Sequence, residues 1–238
     1  MGPDGGERSR SRPCYRPSSR ALSGRLKLPW FDGLKDQGAA PDWDGRVDLR
    51  QGFGPRDLFD FVYAVLHAPS YRARYAEFLR SDFPRIPLPG GTDPAGLFRA
   101  LTAHGRRLTA LHLLDVAAAP DLSAPAIRLA GAGSTQLGNG GKNGVPRWED
   151  GKVWINGNRW FETVPEEVWN FRIGGYQPAQ NWLKDRVGKG GANSRKGRTL
   201  TDDDVLHYRR FVTAMMLTIP EMAAIGARTA AGPPPSRP

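Results

Sequence analysis

Cysteine is almost missing from this sequence: Cys14 is the one cysteine among 238 residues, so neither a disulfide framework nor a thiolate metal cluster can be built. That usage fits a reducing compartment, and a cytoplasmic location is the expectation. Long apolar runs are missing too. None approaches the ~18 residues of a membrane span, and no membrane partner is expected. The N-terminal arginines are not followed by an apolar stretch, so the pattern of a secretory signal is not met.

Histidine is scarce, with only His67, His104, His112 and His207, and none has metal-ligand partners at useful spacing. His104 and His112 sit eight positions apart on one expected helix, too far to chelate together, and read as ordinary helix histidines. Gly-rich stretches at 131–144 and 188–197 follow no hydrophobic strand and open no apolar helix, so they do not form a phosphate-binding turn. Lys142 and Lys189 lack the glycine spacing of a P-loop. Neither Asp-Pro-Pro-Tyr nor Asn-Pro-Pro-Tyr occurs, which removes the amino-methylating loop. Pro41-Asp42-Trp43-Asp44 has two acids, but no lysine follows in a strand context. No Ser/His/Asp arrangement emerges from the spacing. The sequence offers no catalytic residue, no metal site and no cofactor site of its own.

What is abundant is glycine (29) and proline (21), together more than a fifth of the chain, a share that predicts long unstructured stretches. The net charge of +10 is unevenly spread. Residues 171–200 carry seven Lys/Arg against one Asp/Glu, so this short span holds +6 of the total. Concentrated positive charge attracts a polyanion more strongly than scattered charge does, although a solvated, solubilising loop would show the same count.

The periodicities give an α+β fold, mainly helical with a small β-hairpin or β-sheet module, between a disordered N-terminal leader and a disordered C-terminal tail. Residues 1–52 read as that leader. Within 53–116, Leu58, Phe61, Val62, Val65 and Leu66 form one helical stripe. Ser70 is placed to cap a second helix over 71–80, with Tyr71, Tyr75, Phe78 and Leu79 inward. Asp93-Pro94 starts a third helix that runs to about Asp115. Residues 117–147 read as a flexible loop. Within 148–225, residues 152–161 place aromatic and β-branched residues on both sides of Asn156-Gly157, a hairpin signal. Short helices are expected at 165–169 and 178–186. A last helix is expected after Thr201, whose first turn holds Asp202, Asp203 and Asp204. Residues 226–238 read as tail.

Five of the seven tryptophans (Trp148, Trp154, Trp160, Trp169 and Trp182) lie in 35 residues that run directly into the basic span. Aromatic rings either stack on bases or pack a small core, while Lys and Arg neutralise phosphates. Trp154, Trp160 and Trp169 suit the core of the β module. Arg172, Tyr176, Gln177, Lys184, Arg186, Lys189, Arg195, Lys196 and Arg198 are the candidate nucleic-acid contacts. Gln177, Gln180 and Asn181 have the chemistry to read adenine edges, and Arg172 or Arg186 to fork onto guanine. Gly174 and Gly175 would let the backbone approach a sugar-phosphate.

Several phrases resemble the C-terminal part of type ISP restriction-modification enzymes: residues 58–72 (LFDFVYAVLHAPSYR), 82–89 (DFPRIPLP), 164–171 (VPEEVWNF), 173–177 (IGGYQ), 182–186 (WLKDR), 196–200 (KGRTL) and 203–208 (DDVLHY). The resemblance covers about residues 53–225 in order. It implies a target-recognition region for double-stranded DNA, in a family where one polypeptide joins a nuclease, a translocating ATPase and an adenine-N6 methyltransferase to it. S-adenosylmethionine, ATP and Mg would belong to those other domains, which lie upstream in the family. Residues 187–195 look like an insertion relative to the family pattern. Two other readings stay open: a methyltransferase component that needs a catalytic partner domain or chain, and a truncated relic without function.

Overall fold

The structure is a computed structural model and describes residues 16–31, 46–138, 146–187 and 197–230. Two helices carry the N-terminal half. Helix α2 (Pro55–His67) starts with proline in its first turn, and the Asp57 carboxylate accepts from the Gly54 N–H at 3.0 Å. Its stripe buries Phe61 and Val65 completely, with Leu58, Val62 and Leu66 at the margins. Helix α5 (Pro94–His112) is capped by the Asp93 carboxylate, which accepts from the Gly96 N–H at 2.7 Å. It lays Phe98, Leu101 and Leu108 against α2.

The leader expected at 1–52 is partly folded. Helix α1 (Arg16–Leu26) presents Ser19, Leu22 and Leu26 at i, i+3 and i+7, all buried, and Trp30 packs edge-on against Phe53 at 5.2 Å. Only two of those three helix positions are apolar, which is why periodicity does not reveal the helix. Residues 1–15 and 32–45 lie outside the described residues.

The single helix expected over 71–80 is two short ones, α3 (Pro69–Arg74) and α4 (Phe78–Ser81). Pro69 rather than Ser70 opens α3; the Ser70 hydroxyl instead shares a 2.6 Å hydrogen bond with Thr229. Tyr71 is buried and donates to the Arg85 carbonyl, anchoring the extended proline-rich stretch. Phe78 points outward, while Leu79 beside it and Tyr75 before it pack against the helical core.

The 117–147 stretch is no simple loop either. It contains strand β1 (Arg128–Gly131) and buries Leu122, Ile127 and Leu137. With β2 (Arg147–Glu149), β3 (Lys152–Trp154) and β4 (Arg159–Glu162) it forms an antiparallel sheet ordered β1-β4-β3-β2. Pairing of Val153 with Phe161, and of Leu129 with Phe161, sends one face into the core. Fully burying side chains of this size contributes about 1.5–3 kcal/mol each. Trp154 and Trp160 pair one residue away and therefore share the opposite face, with ring centroids 4.8 Å apart. They are not core residues as expected, whereas Trp169 is.

The Asn156-Gly157 hairpin forms, held by an Asx-type turn. The Asn156 side-chain carbonyl accepts from the Asn158 and Arg159 N–H groups, each at 2.9 Å. Helices α6 (Glu166–Asn170) and α7 (Pro178–Lys184) follow. Helix α8 (Asp202–Ala230) has 29 residues, so the tail expected from 226 is helical to 230. At ~1.5 Å per residue its length is about 43 Å. It buries Tyr208, Val212 and Met215 in the sheet core, and Ile225 in the helical core. Thr201 and Asp204 form a reciprocal cap: the Thr201 hydroxyl accepts from the Asp204 N–H, and the Asp204 carboxylate from the Thr201 N–H, both at 3.1 Å.

Candidate nucleic-acid interface

The candidate contacts fall on three pieces of chain: the turn between α6 and α7, the end of α7, and the segment entering α8. In the turn, Ile173 and Tyr176 exchange both backbone hydrogen bonds, at 2.9 and 3.1 Å, around Gly174-Gly175. Gly174 has φ +61° and Gly175 does not share the positive sign, the pattern of a type II′ turn, which wants glycine at its first central position. Arg172 and Tyr176 are exposed. Gln177 is half-buried as the residue before α7.

Along α7, Lys184 is exposed, and its ammonium donates to the Gln180 side-chain carbonyl at 2.9 Å. Gln180 is buried and donates its amide to the Trp169 carbonyl at 3.2 Å. It therefore supports Lys184 from below and is not free to read an adenine edge. The Arg186 guanidinium lies 3.7 Å from the Trp182 ring centroid, and Nη1 donates to the Trp182 carbonyl at 2.7 Å. Trp182 rests in turn on Tyr208, with centroids 5.1 Å apart. This stack fixes the guanidinium before any ligand arrives.

The Arg198 N–H donates to the Arg186 carbonyl at 2.9 Å, joining the two ends of the basic stretch. Lys189, Arg195 and Lys196 lie between these ends, outside the described residues. The returning segment is stitched to the sheet. The Gln136 side chain donates to the Gly197 carbonyl, the Leu137 N–H to the Arg198 carbonyl, and the Thr135 hydroxyl to the Leu200 carbonyl. Asn156 at the hairpin tip donates to both the Ser134 and Gln136 carbonyls at 2.9 Å, completing the brace.

Arg198 itself is engaged: its guanidinium meets both Asp204 oxygens, at 3.0 and 2.8 Å. Partial burial works against ionisation of Asp204. The Thr201 N–H and hydroxyl, together with Arg198, outweigh it and hold the carboxyl below the usual range. Arg198 is thus less available to phosphate than a charge count implies. Arg172 and Lys184 stand exposed and Arg186 half-buried around α7, whereas Arg198 belongs to the α8 cap.

The outer sheet face carries a second cationic–aromatic ladder, which a count of charges does not reveal. The Arg147 guanidinium sits over Trp154 at 5.2 Å and the Lys152 ammonium over Trp160 at 5.4 Å. The signal was strand alternation, readable once the turn is known to span four residues rather than two. Among the described residues, no three His, Cys, Asp or Glu side chains converge as a metal site.

The fold is similar to that of part of a solved structure. The chain is similar to a nuclease-deletion mutant of the Type ISP restriction-modification enzyme LlaGI, solved in complex with a DNA substrate mimic. The identity is 23% over 77% of this chain and 17% of that one, with a TM-score of 0.50. It is also similar to the DrdV–DNA complex (22%, covering 74% and 18%, TM-score 0.49). A third similar structure is the ATP-dependent Type ISP restriction-modification enzyme LlaBIII bound to DNA (16%, covering 72% and 11%, TM-score 0.47). The chain spans less than a fifth of the length of each. No curated protein matches it. The model of the Type ISP C-terminal specificity domain matches residues 8–216, and the chain belongs to that family.

Proposed function

We propose that this chain recognises double-stranded DNA as the specificity part of a type ISP restriction-modification system. The family match over residues 8–216 carries the reading. The exposed Arg172, Lys184 and pre-stacked Arg186 supply the chemistry, since cations fixed in place release counterions from a polyanion without first losing side-chain freedom. A methyltransferase domain or chain would supply S-adenosylmethionine chemistry, and nuclease and ATPase parts would hold ATP and Mg. Such a protein would work in the cytoplasm, where the DNA it sorts is found.

The test is fluorescence anisotropy of the whole chain with a labelled 30-bp duplex across a salt series. Binding without a known target should lie around 10⁻⁴–10⁻⁶ M. Three to five phosphate contacts should give a slope of log K against log salt of about −3 to −4.5. Replacing Lys184 and Arg186 with Ala should flatten that slope by up to about 1.8. A wild-type slope near zero overturns the reading, and an unchanged slope in the double variant removes α7 from the contact surface.

A further inference from the structure

Seven large apolar side chains stand exposed among the described residues, and five of them lie between residues 59 and 113. The other two, Ile173 (56% exposed) and Tyr176 (50%), are the closing pair of one turn. The module that carries them buries many large apolar side chains, with Val153, Ile155, Phe161, Val168 and Leu183 at zero exposure.

The turn is a rigid mount. Two reciprocal hydrogen bonds close it, and its first central position is the positive φ of Gly174. On one side the chain leaves a buried Trp169; on the other it enters a buried Pro178 and Ala179. Directly opposed residues of an antiparallel pair project their side chains to the same face. Ile173 and Tyr176 therefore stand side by side on one face of the ribbon, with Cα atoms ~5.5 Å apart as in any hydrogen-bonded pair.

Along the chain, the residues nearest this turn carry one sign of charge, with the exposed Glu166, Glu167 and Asp185 farther out. From Val168 to Lys184 there is no Asp or Glu, and Arg172 and Lys184 are both exposed. An apolar, aromatic tip flanked by cations has the chemistry of a side-chain wedge, which enters between base steps while neighbouring cations hold the phosphates. A step opened to about twice its ~3.4 Å rise leaves a gap about one ring thick, which the Tyr176 ring can enter.

We infer that the Ile173–Tyr176 turn is a wedge that this domain inserts between base pairs of duplex DNA, unstacking one step. The inference rests on the DNA-recognition reading and adds a distortion of the duplex to it. Insertion costs unstacking energy, so a duplex already opened at one position should bind better. Tyr176 would contribute its ring face to a base, and Ile173 the apolar surface that fills the remaining gap.

The experiment compares a matched 30-bp duplex with the same duplex carrying one central abasic site, both titrated with the whole chain by anisotropy. Wild type should prefer the abasic duplex by about tenfold, with equal salt slopes for the two. The double variant Ile173→Ala/Tyr176→Ala changes only exposed side chains, so its melting temperature should match wild type while the preference falls below about twofold. Tyr176→Phe should keep the preference, because a ring is needed and a hydroxyl is not. Lys184→Ala should weaken both duplexes alike and leave the ratio intact. Equal wild-type affinities for the two duplexes overturn the wedge while leaving DNA binding in place, as would a turn that docks another protein. A preference that survives the double variant overturns it as well. No binding to either duplex overturns the recognition reading, and the wedge with it.

Discussion

Replacing Gly105 with Ala should destabilise the protein, although glycine inside a helix normally costs stability. Gly105 lies in the middle of α5, where a Cβ would come within 1.8 Å of the Asp60 carbonyl oxygen and 2.6 Å of its carbon. Both atoms are backbone of α2, so no side-chain rotation relieves the overlap. Reaching ordinary contact near 3.5 Å requires the two helices to separate by well over an ångström. That opens the packing of Phe61 against Phe98, whose ring centroids are 5.2 Å apart. Overpacking of this kind costs about 1–3 kcal/mol, and more when backbone must move, against a helix-propensity gain of about 1 kcal/mol. A net loss of about 2 kcal/mol should lower the melting temperature by roughly 4–8 °C in a protein of this size. Gly24→Ala in α1 is the matched control. Nothing lies within 4 Å of its Cβ position, so the same change should raise stability by up to about 1 kcal/mol. Thermal melts followed by circular dichroism decide it. A Gly105→Ala variant as stable as wild type would refute the close approach of α2 and α5.

Asp204→Asn should cost about 1 kcal/mol through the lost cap of α8, read from thermal melts, and should release Arg198. The salt slope of DNA binding would then steepen by up to about 0.9. Because the folded carboxyl sits below its usual pKa of 3.8, its stabilisation is fully present above that value and is lost only as pH falls through the lower one. Melting temperatures at pH 7 and pH 5 should therefore show the same wild-type-to-variant gap. His112 should make stability fall on mild acidification. Its Nδ1 is 2.6 Å from the Tyr63 hydroxyl, its Nε2 is 3.0 Å from the Thr218 hydroxyl, and the His67 ring lies 5.3 Å away. Burial, with a smaller effect of His67, holds its pKa at about 4. The unfolded imidazole takes up its proton near 6.5, so stability is flat above that pH and declines between 6.5 and 4. His112→Asn should shrink the drop in melting temperature between pH 7 and pH 5; an equal drop would sink this account.

Where local chemistry fixes structure, the residues could be read in advance. Pro55 and Asp93-Pro94 open α2 and α5, Thr201 with Asp204 caps α8, and Asn156 turns the hairpin. Where a partner distant in sequence decides, they could not. β1 is four residues inside a stretch of loop-like composition, and its strand character comes from pairing with β4 some thirty residues later. The burial of α1 depends on a core built from residues 53–108 and Ile225. The basic span was legible as a sum of charges, but a sum cannot show that Arg198 is turned onto Asp204 or that Arg186 lies flat on Trp182. Gln180 shows the same limit in reverse: its side chain has the donors and acceptors to read a base, and the fold spends them on Trp169 and Lys184.

Helix α8 explains how the turn between α6 and α7 is held in place. Its first half is built into the sheet core through Tyr208, Val212 and Met215, and the Tyr208 hydroxyl donates to the Ala179 carbonyl in α7. Arg209 and Arg210 donate to the Ile127 and Leu122 carbonyls, holding the chain that feeds β1. Its second half pairs Glu221 with His104 and Arg107, and sets Ile225 into the helical core. Thus α7, which follows the Ile173–Tyr176 turn directly, is referenced through a single helix to the layer made by α2 and α5. A two-residue hairpin on a flexible base would lose its binding energy to ordering costs; one whose base is fixed by buried contacts brings its side chains already oriented. The position of the turn is thus a property of the whole fold; were the turn the proposed wedge, changes in the second half of α8 should reduce the abasic-duplex preference with Ile173, Tyr176, Arg172 and Lys184 all intact, read in the same anisotropy comparison.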